Sequence, residues 1–302
     1  MQWSCFFQSP RYLEITRKYH LVSPDLRPLI CSYIGVKENM TVLDVGCGSG
    51  FFTRLVAENM TAGRVVGVDI DAVHIDAAKK IIGADGLTER IEFITADALA
   101  LPFADDSFDL VTSQTFFNVV KGSENALAEM IRVTKNGGVV ASLDNMTLGN
   151  QTWHTGYYQE LAWLTRFRVL EKKVLQMFMM IYPLGKIAAG IPTSEIPHFF
   201  AARGLKNVRI YGLGRVFSLS NAAMDAAEKA EYIHCLYEDS WEKVHNYRQL
   251  PQITQYITNA ELDEYLALLT QYRDYQLALI GENLIWDWNG GGNLLTVADV
   301  VK

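Results

Sequence analysis

An apolar run, Val42-Leu43-Asp44-Val45, passes into Gly46-Cys47-Gly48-Ser49-Gly50 and then straight into Phe51-Phe52-Thr53-Arg54-Leu55. A buried strand, three alternating glycines and an immediate helix start leave few folds open. Glycines in such places let the backbone turn tightly and approach a ligand closely, and the first turn of the following helix offers N–H groups with no intrahelical partner. The stretch reads as a ligand loop of the nucleotide-binding kind, although alone it would also suit an ordinary glycine-rich turn.

A second strand narrows the choice. Arg64-Val65-Val66-Gly67-Val68-Asp69-Ile70-Asp71 reads as buried and ends in carboxylates, with Asp69 where a doubly wound fold places the acid that holds a ribose. A dinucleotide fingerprint would need its last glycine at position 51, which is Phe51, so a nicotinamide-dependent oxidoreductase is the weaker reading. Three further motifs come in order: Ile91-Glu92-Phe93-Ile94-Thr95-Ala96-Asp97-Ala98, then Leu101-Pro102-Phe103 before Asp106-Ser107-Phe108-Asp109-Leu110-Val111, then Ile131-Arg132-Val133-Thr134-Lys135-Asn136-Gly137-Gly138.

This ordered set, over residues 36 to 145, resembles the class I S-adenosylmethionine-dependent methyltransferases. The resemblance implies a methyl-transferring enzyme in which Gly46, Gly48 and Gly50 lie beside the methionine moiety, Asp69 accepts from the ribose hydroxyls, and Asp97 with Ala98 meets the adenine. Asn136 is a departure, since the family usually has proline there. Around that frame the cofactor set is completed by Tyr19, Asp44, Cys47, Ile70, His74, Ser113 and Gln114. Each of the outlying members has a plain packing alternative. Tyr19 shares a helix face with Tyr12, His74 fits a solvated helix position, and Cys47 is most simply a small loop residue, not a thiolate.

Strands are expected near 41–45, 64–69, 91–95, 108–114 and 138–144, alternating with helices near 50–60, 72–83 and 123–134. Alternation of this kind makes an α/β, doubly wound, Rossmann-like sheet. A helical cap over residues 1–35, with helices at 11–20 and 25–34, precedes the core at 36–150. Residues 151–302 are expected to add two helical cover insertions, about 152–191 and 221–281, and the last strands, about 205–218 and 293–301. The resemblance implies seven mostly parallel strands, the last antiparallel.

Asn/Asp-Pro-Pro-Tyr, which often marks methylation of planar amino groups, is absent after the fourth strand, where the chain reads Gln114-Thr115-Phe116-Phe117-Asn118. A small O, N, C or S acceptor is therefore favoured over base nitrogens and glutamine amides. Ligands of doubly wound sheets bind outside the carboxyl ends of the strands, which selects Phe117 and Asn118 as acceptor contacts. His154, Tyr157 and Tyr158, in the aromatic and Met-rich insertion, join them; His154 is a candidate base and equally a structural histidine. No general base is assigned.

The net charge of −7 and the lack of a basic stripe argue against nucleic acid as partner, leaving an RNA or protein methyltransferase as the lesser enzyme alternative and a non-catalytic S-adenosylmethionine-binding protein as another. Cys5, Cys31, Cys47 and Cys235 are too far apart for a CxxC metal or redox site, and no metal is expected. The stretch from Val174 to Ile191 is broken by Gln176, Pro183 and Lys186, so no membrane span is expected, and the start lacks a signal-peptide pattern. A cytoplasmic location is the resulting expectation.

Overall fold

The computed structural model describes Ile15, Tyr19 and residues 24–83, 89–153, 161–184, 190–282 and 284–302, without the side chains of 24, 145–153, 179–184, 215, 216, 288 and 289. Two compact units partition the chain. One comprises Leu21–Asn150, Ala188–Arg215 and Gly291–Lys302, the other Met1–His20, Gln151–Ile187 and Val216–Gly290.

The first unit carries the alternation read from the sequence. A short helix α1 (Arg27–Ile34), preceded by a 3-10 turn at Pro24–Leu26, ends at Gly35 in the left-handed conformation. Then come β1 (Met40–Val45), α2 (Phe51–Glu58), β2 (Gly63–Asp69), α3 (Ala72–Gly83), β3 (Ile91–Thr95), β4 (Phe108–Gln114), α4 (Ser123–Val133) and the start of β5 (Thr134–Trp153). Pairing is parallel from β3 through β2, β1 and β4 to β5. With β6 (Lys206–Ser218) and β7 (Trp288–Asp299) the sheet has seven strands in the order β3-β2-β1-β4-β5-β7-β6. The chain passes from β3 on one flank to β4 beside β1, so the order reverses between β1 and β4, where doubly wound sheets open a ligand crevice.

Apolar side chains cover both faces. Val42, Leu110, Ala141, Leu143 and Leu295 pack on one face with Phe52, Leu55 and Val56 of α2 and Ile75 and Ala78 of α3. Leu43, Val45, Val111 and Val140 pack on the other with Leu127 and Met130 of α4 and with Ile196 and Phe200 of a short helix at Ile196–Ala202. Burial on both faces is what a parallel sheet demands, and it explains why its strands read as continuous apolar runs.

The family motifs remote from the glycines hold the sheet together. Arg132 donates to the carbonyls of Leu101 (3.1 Å) and Phe103 (2.8 Å), while the Leu101 N–H donates to Glu129 (2.8 Å), whose carboxylate also takes Arg132. Asp109 accepts from the Thr41 N–H at 2.8 Å and from Lys135 at 2.7 Å, tying β1 to β4 and to the start of β5. Asn136, standing where proline is usual, accepts from the Lys302 N–H at 3.0 Å. β5 starts at Thr134, earlier than expected, because a register jump from Phe108↔Thr134 to Leu110↔Val139 takes up the Asn136-Gly137-Gly138 turn.

In the second unit, α5 (Ala162–Leu184), α7 (Ala226–Tyr247) and α8 (Asn259–Gly281) are long helices, with α6 denoting Ile196–Ala202 of the first unit. Asp225 with Glu228, and Thr258 with Glu261, form reciprocal capping boxes that set where α7 and α8 begin. Phe167 stacks on Tyr265 and Tyr272, and Leu164, Leu170, Val174, Val244 and Leu262 fill the space around them.

Candidate functional site

The glycine loop joins β1 to α2 with all three glycines left-handed, Gly46 at φ +70°, Gly48 at +53° and Gly50 at +82°. Their surroundings differ. A Cβ on Gly46 would sit 2.5 Å from the Phe116 ring and one on Gly50 2.5 Å from the Phe93 ring, so these two glycines serve close packing. A Cβ on Gly48 would meet none of the described residues within 4 Å. Gly46 and Cys47 both donate to the Val68 carbonyl, at 2.8 and 2.9 Å, which fixes the loop against the end of β2. Gly50 caps α2 without a side-chain acceptor, so the first-turn N–H groups of the helix keep their capacity for a ligand.

Asp69 ends β2 beside this open space. Its Oδ2 accepts from the Gly48 N–H at 2.9 Å and its Oδ1 from the Asp71 N–H at 2.9 Å, with His74 Nδ1 3.5 Å from Oδ1. Partial burial opposes its ionisation, but hydrogen bonds from His74, Asp71 and Gly48 outweigh it and hold the carboxyl below its ordinary range. The same pairing, against burial, raises the His74 imidazole. Each carboxylate oxygen has a second lone-pair direction, so Asp69 is oriented by the loop yet still able to accept from a vicinal diol.

Around that carboxylate the ends of β2 and β3 meet, the Ala96 N–H donating to the Asp69 carbonyl at 2.9 Å. The exposed Asp97 accepts from the Leu99 N–H at 2.9 Å, shaping the turn that holds Ala98. Ile70 is 71% exposed, and Val73 and Leu99 are exposed too. Solvated apolar side chains beside a fixed ribose-type acid suit the flat face of a nucleobase. Leu99 is not singled out by the sequence, where its signal is weak: one leucine in a polar turn.

Asp44 is sealed beneath the loop on the α2 side of the sheet. Thr53 Oγ1 donates to it at 2.6 Å and Thr112 Oγ1 lies 3.4 Å away; sequence reasoning misses both threonines, which read as ordinary strand and helix residues. Burial pushes this carboxyl up to about 7 against those hydrogen bonds, with Asp69 adding to the rise. Cys47 is buried, and desolvation followed by the charges of Asp44 and Asp69 lifts its thiol well above the usual range, so it is a packing residue.

At the end of β4, Ser113 is fully buried, Gln114 is half-buried, and Thr115 holds a left-handed φ of +49° that turns the chain sharply. Phe117 is fully buried, edge-on to Phe116, Phe199 and Phe200 with ring centroids 5.3, 5.8 and 5.5 Å away, so its ring is spent on the core. Asn118 Nδ2 donates to Thr193 Oγ1 at 2.6 Å, and its buried Oδ1 has no hydrogen-bond partner among the described residues. Tyr19 belongs to the second unit, packed with Phe217, Met224 and Tyr232, its hydroxyl donating to the Ala223 carbonyl at 2.8 Å. His154, Tyr157 and Tyr158 lie outside the described residues. Among the described residues no cluster of His, Cys, Asp and Glu could hold a metal, and no helix is long and apolar enough to cross a membrane.

A family model described as a methyltransferase domain matches residues 36–174. A demethylmenaquinone methyltransferase of Bacillus velezensis is 32% identical over 184 residues, which are 59% of this chain and 76% of that protein. The chain belongs to the class I S-adenosylmethionine-dependent methyltransferases. A second relative in this methyltransferase family, the demethylmenaquinone methyltransferase of Renibacterium salmoninarum, is 37% identical over 134 residues, 43% of this chain and 53% of its own. The chain thus spans about half the length of several curated relatives it matches. Among solved structures, phosphoethanolamine N-methyltransferase 2 of Haemonchus contortus in complex with S-adenosyl-L-methionine shares the methyltransferase fold at a TM-score of 0.52 and 15% identity, over 100% of this chain and 60% of that one.

Proposed function

We propose that this protein transfers the methyl group of S-adenosylmethionine directly to a small apolar or aromatic acceptor. The observation that carries the reading is the pairing of open space at Gly48 with the Asp69 carboxylate that the same residue's N–H holds in place. These groups fit the cofactor: Asp69 takes the ribose diol, Gly48 and the start of α2 take the methionine end, and Asp97, Ala98 and Ile70 take the adenine. When bound, the cofactor supplies a methyl made electrophilic by its sulfonium. What the protein contributes is alignment, worth roughly 7–11 kcal/mol for well-oriented reactants, so no covalent catalyst is required.

Two relatives are demethylmenaquinone methyltransferases, named for an apolar quinone, and this supports the acceptor class. The acidic net charge of −7 sets RNA aside. The test combines calorimetry with S-adenosylhomocysteine and transfer of a labelled methyl from S-adenosylmethionine to a panel of 1,4-naphthalenediol, simple phenols, a sterol and a bulk RNA. Labelled naphthalenediol or phenol with none on RNA is the expected result. Tight binding with no transfer to any of them would leave a cofactor-binding protein without turnover, and transfer to RNA alone would reverse the choice of acceptor.

A further inference from the structure

On the sheet face opposite Asp44, three polar side chains occupy positions that an apolar core would fill. Ser113 of β4 stands in register with Ser142 of β5, and Asp144 lies two residues on, so all three point to one face. Ser113 and Ser142 are 0% exposed and Asp144 is 1% exposed. Ser142 Oγ donates to Asp144 Oδ2 in a short contact, and Ser113 Oγ donates to Ser142 Oγ at 3.1 Å. The direction is forced: a serine has one hydroxyl proton, and once Ser142 gives its own to the carboxylate it can only accept from Ser113.

Among the described residues, Asp144 Oδ1 has no hydrogen-bond partner. A buried carboxylate oxygen left unpaired is costly, and native proteins rarely keep one without a use for it. Since Oδ2 is turned back along the strand to Ser142, Oδ1 lies on the side away from it, and Asp144 lies one residue beyond Leu143, the partner of Gln114 at the carboxyl end of β4, the end at which doubly wound sheets take their ligands. No charged side chain among the described residues perturbs the group: burial, which raises it, dominates, and the Ser142 hydroxyl and the nearby Phe116 N–H oppose the rise. The outcome is a carboxyl pushed up to about 7, in the range a general base at neutral pH requires.

Resting on the methyl-transfer reading, we infer that Asp144 Oδ1 is the atom that takes the proton lost by the acceptor, and that the acceptor is one that must lose a proton, which within the apolar or aromatic class proposed above means a hydroxylated aromatic ring. As the acceptor's oxygen or ring carbon forms its bond to the methyl, the electron pair of the broken carbon–sulfur bond stays on sulfur and the proton released from that oxygen or carbon moves to Oδ1. Ser142, fixed by Ser113, keeps Oδ2 occupied and so directs the proton to the other oxygen. An acceptor that ends as a cation without losing a proton, such as a tertiary amine, has no need of this group.

The test uses the full chain. Carbon-13 NMR of aspartate-labelled wild-type protein, with Asp144→Asn to assign the signal, should show one carboxyl titrating near 7 that shifts when 1,4-naphthalenediol is added to protein saturated with S-adenosylhomocysteine. Methyl transfer to the diol should rise with pH through the same value, and Asp144→Asn should lose about a hundredfold or more of it, the usual contribution of a positioned base, while S-adenosylhomocysteine affinity stays within about twofold. Ser142→Ala, which withdraws the donor, should move the pH profile upward. A titration that ignores the diol, or an Asp144→Asn protein with undiminished transfer, overturns the assignment. If Asp144→Asn fails to fold, the Ser142→Ala profile and the assignment-free count of carboxyls responding to the diol still decide it, none responding being the contrary result. A wild-type protein that does not bind S-adenosylhomocysteine overturns the methyl-transfer reading itself, whereas one that binds it and methylates N,N-dimethylaniline but no hydroxylated ring contradicts the Asp144 role alone.

Discussion

Three glycines in five residues look equivalent in the sequence and are not. Gly46 and Gly50 are held by neighbouring rings, whereas Gly48 faces open space. We expect Gly50→Ala to lower stability by about 2–5 kcal/mol, the left-handed backbone that Gly48 also has plus overpacking against Phe93, with the melting temperature as the measurement. Gly48→Val should leave the fold nearly intact, at a cost of about 1–2 kcal/mol for the left-handed backbone, and abolish cofactor binding. Equal losses of stability in the two variants would contradict the distinction. Two buried carboxyls, Asp44 and Asp144, are both raised to about 7. Folded protein then holds protons that the unfolded chain gives up near the ordinary aspartate value, so their contribution to stability is full below about pH 4 and is lost as pH rises to about 7. Asp69, Asp109 and Glu129 are lowered and act in the opposite sense, but only at more acid pH, so the two windows do not overlap. Melting temperature should therefore fall between about pH 4 and about pH 7, and Asp44→Asn should flatten part of that slope by at least about 2–4 °C, the shift produced by about 1 kcal/mol in a chain of this size.

Between the residue and the molecule, the family motifs divide into those proposed to meet the cofactor and those that hold strands. Arg132 is of the second kind, bonded to the carbonyls of Leu101 and Phe103 and to Glu129. Arg132→Ala should cost about 1–3 kcal/mol, the usual loss when buried carbonyls are left unpaired, with S-adenosylhomocysteine affinity unchanged within about twofold; a large affinity loss at unchanged stability would place this segment in the site instead. Elements are legible in the sequence where pattern and local chemistry agree. β1 to β4 can be read because buried parallel strands are short apolar runs stopped by glycine or a carboxylate. β5 reads too short because Gly137-Gly138 signals a turn, and only the sheet pairing reveals the bulge that absorbs it. β7 likewise begins at Trp288, ahead of its expected start at 293, since Gly290-Gly291-Gly292 looks like a turn and yet lies within the strand. Asp44, Asp69 and the glycine loop are legible because they fall at the ends of apolar strands in one contiguous motif each. The Ser113–Ser142–Asp144 series is not, because it depends on the register of two strands separated by a helix and leaves no contiguous motif.

Across the whole molecule, three of the five passages of the chain between its two compact units fall within β5, β6 and β7, and all six tryptophans fall in the second unit while the glycine loop falls in the first. Tryptophan fluorescence therefore reports on a unit that does not contain the loop. Three shared strands should couple the units, so S-adenosylhomocysteine at about a hundred times its dissociation constant should raise the fluorescence-detected unfolding free energy by about 2.7 kcal/mol, as much as circular dichroism records. A fluorescence transition indifferent to the ligand would mean that the units unfold separately. Everything proposed for function rests on Asp69 and the loop that fixes it, and the most direct test is calorimetric titration of S-adenosylhomocysteine into wild-type protein and Asp69→Ala at matched melting temperature. Loss of hydrogen bonds from the ribose diol to a carboxylate is worth about 1.5–3 kcal/mol, so we expect affinity to fall by about ten- to more than a hundredfold. Unchanged affinity in a folded Asp69→Ala protein would contradict the site.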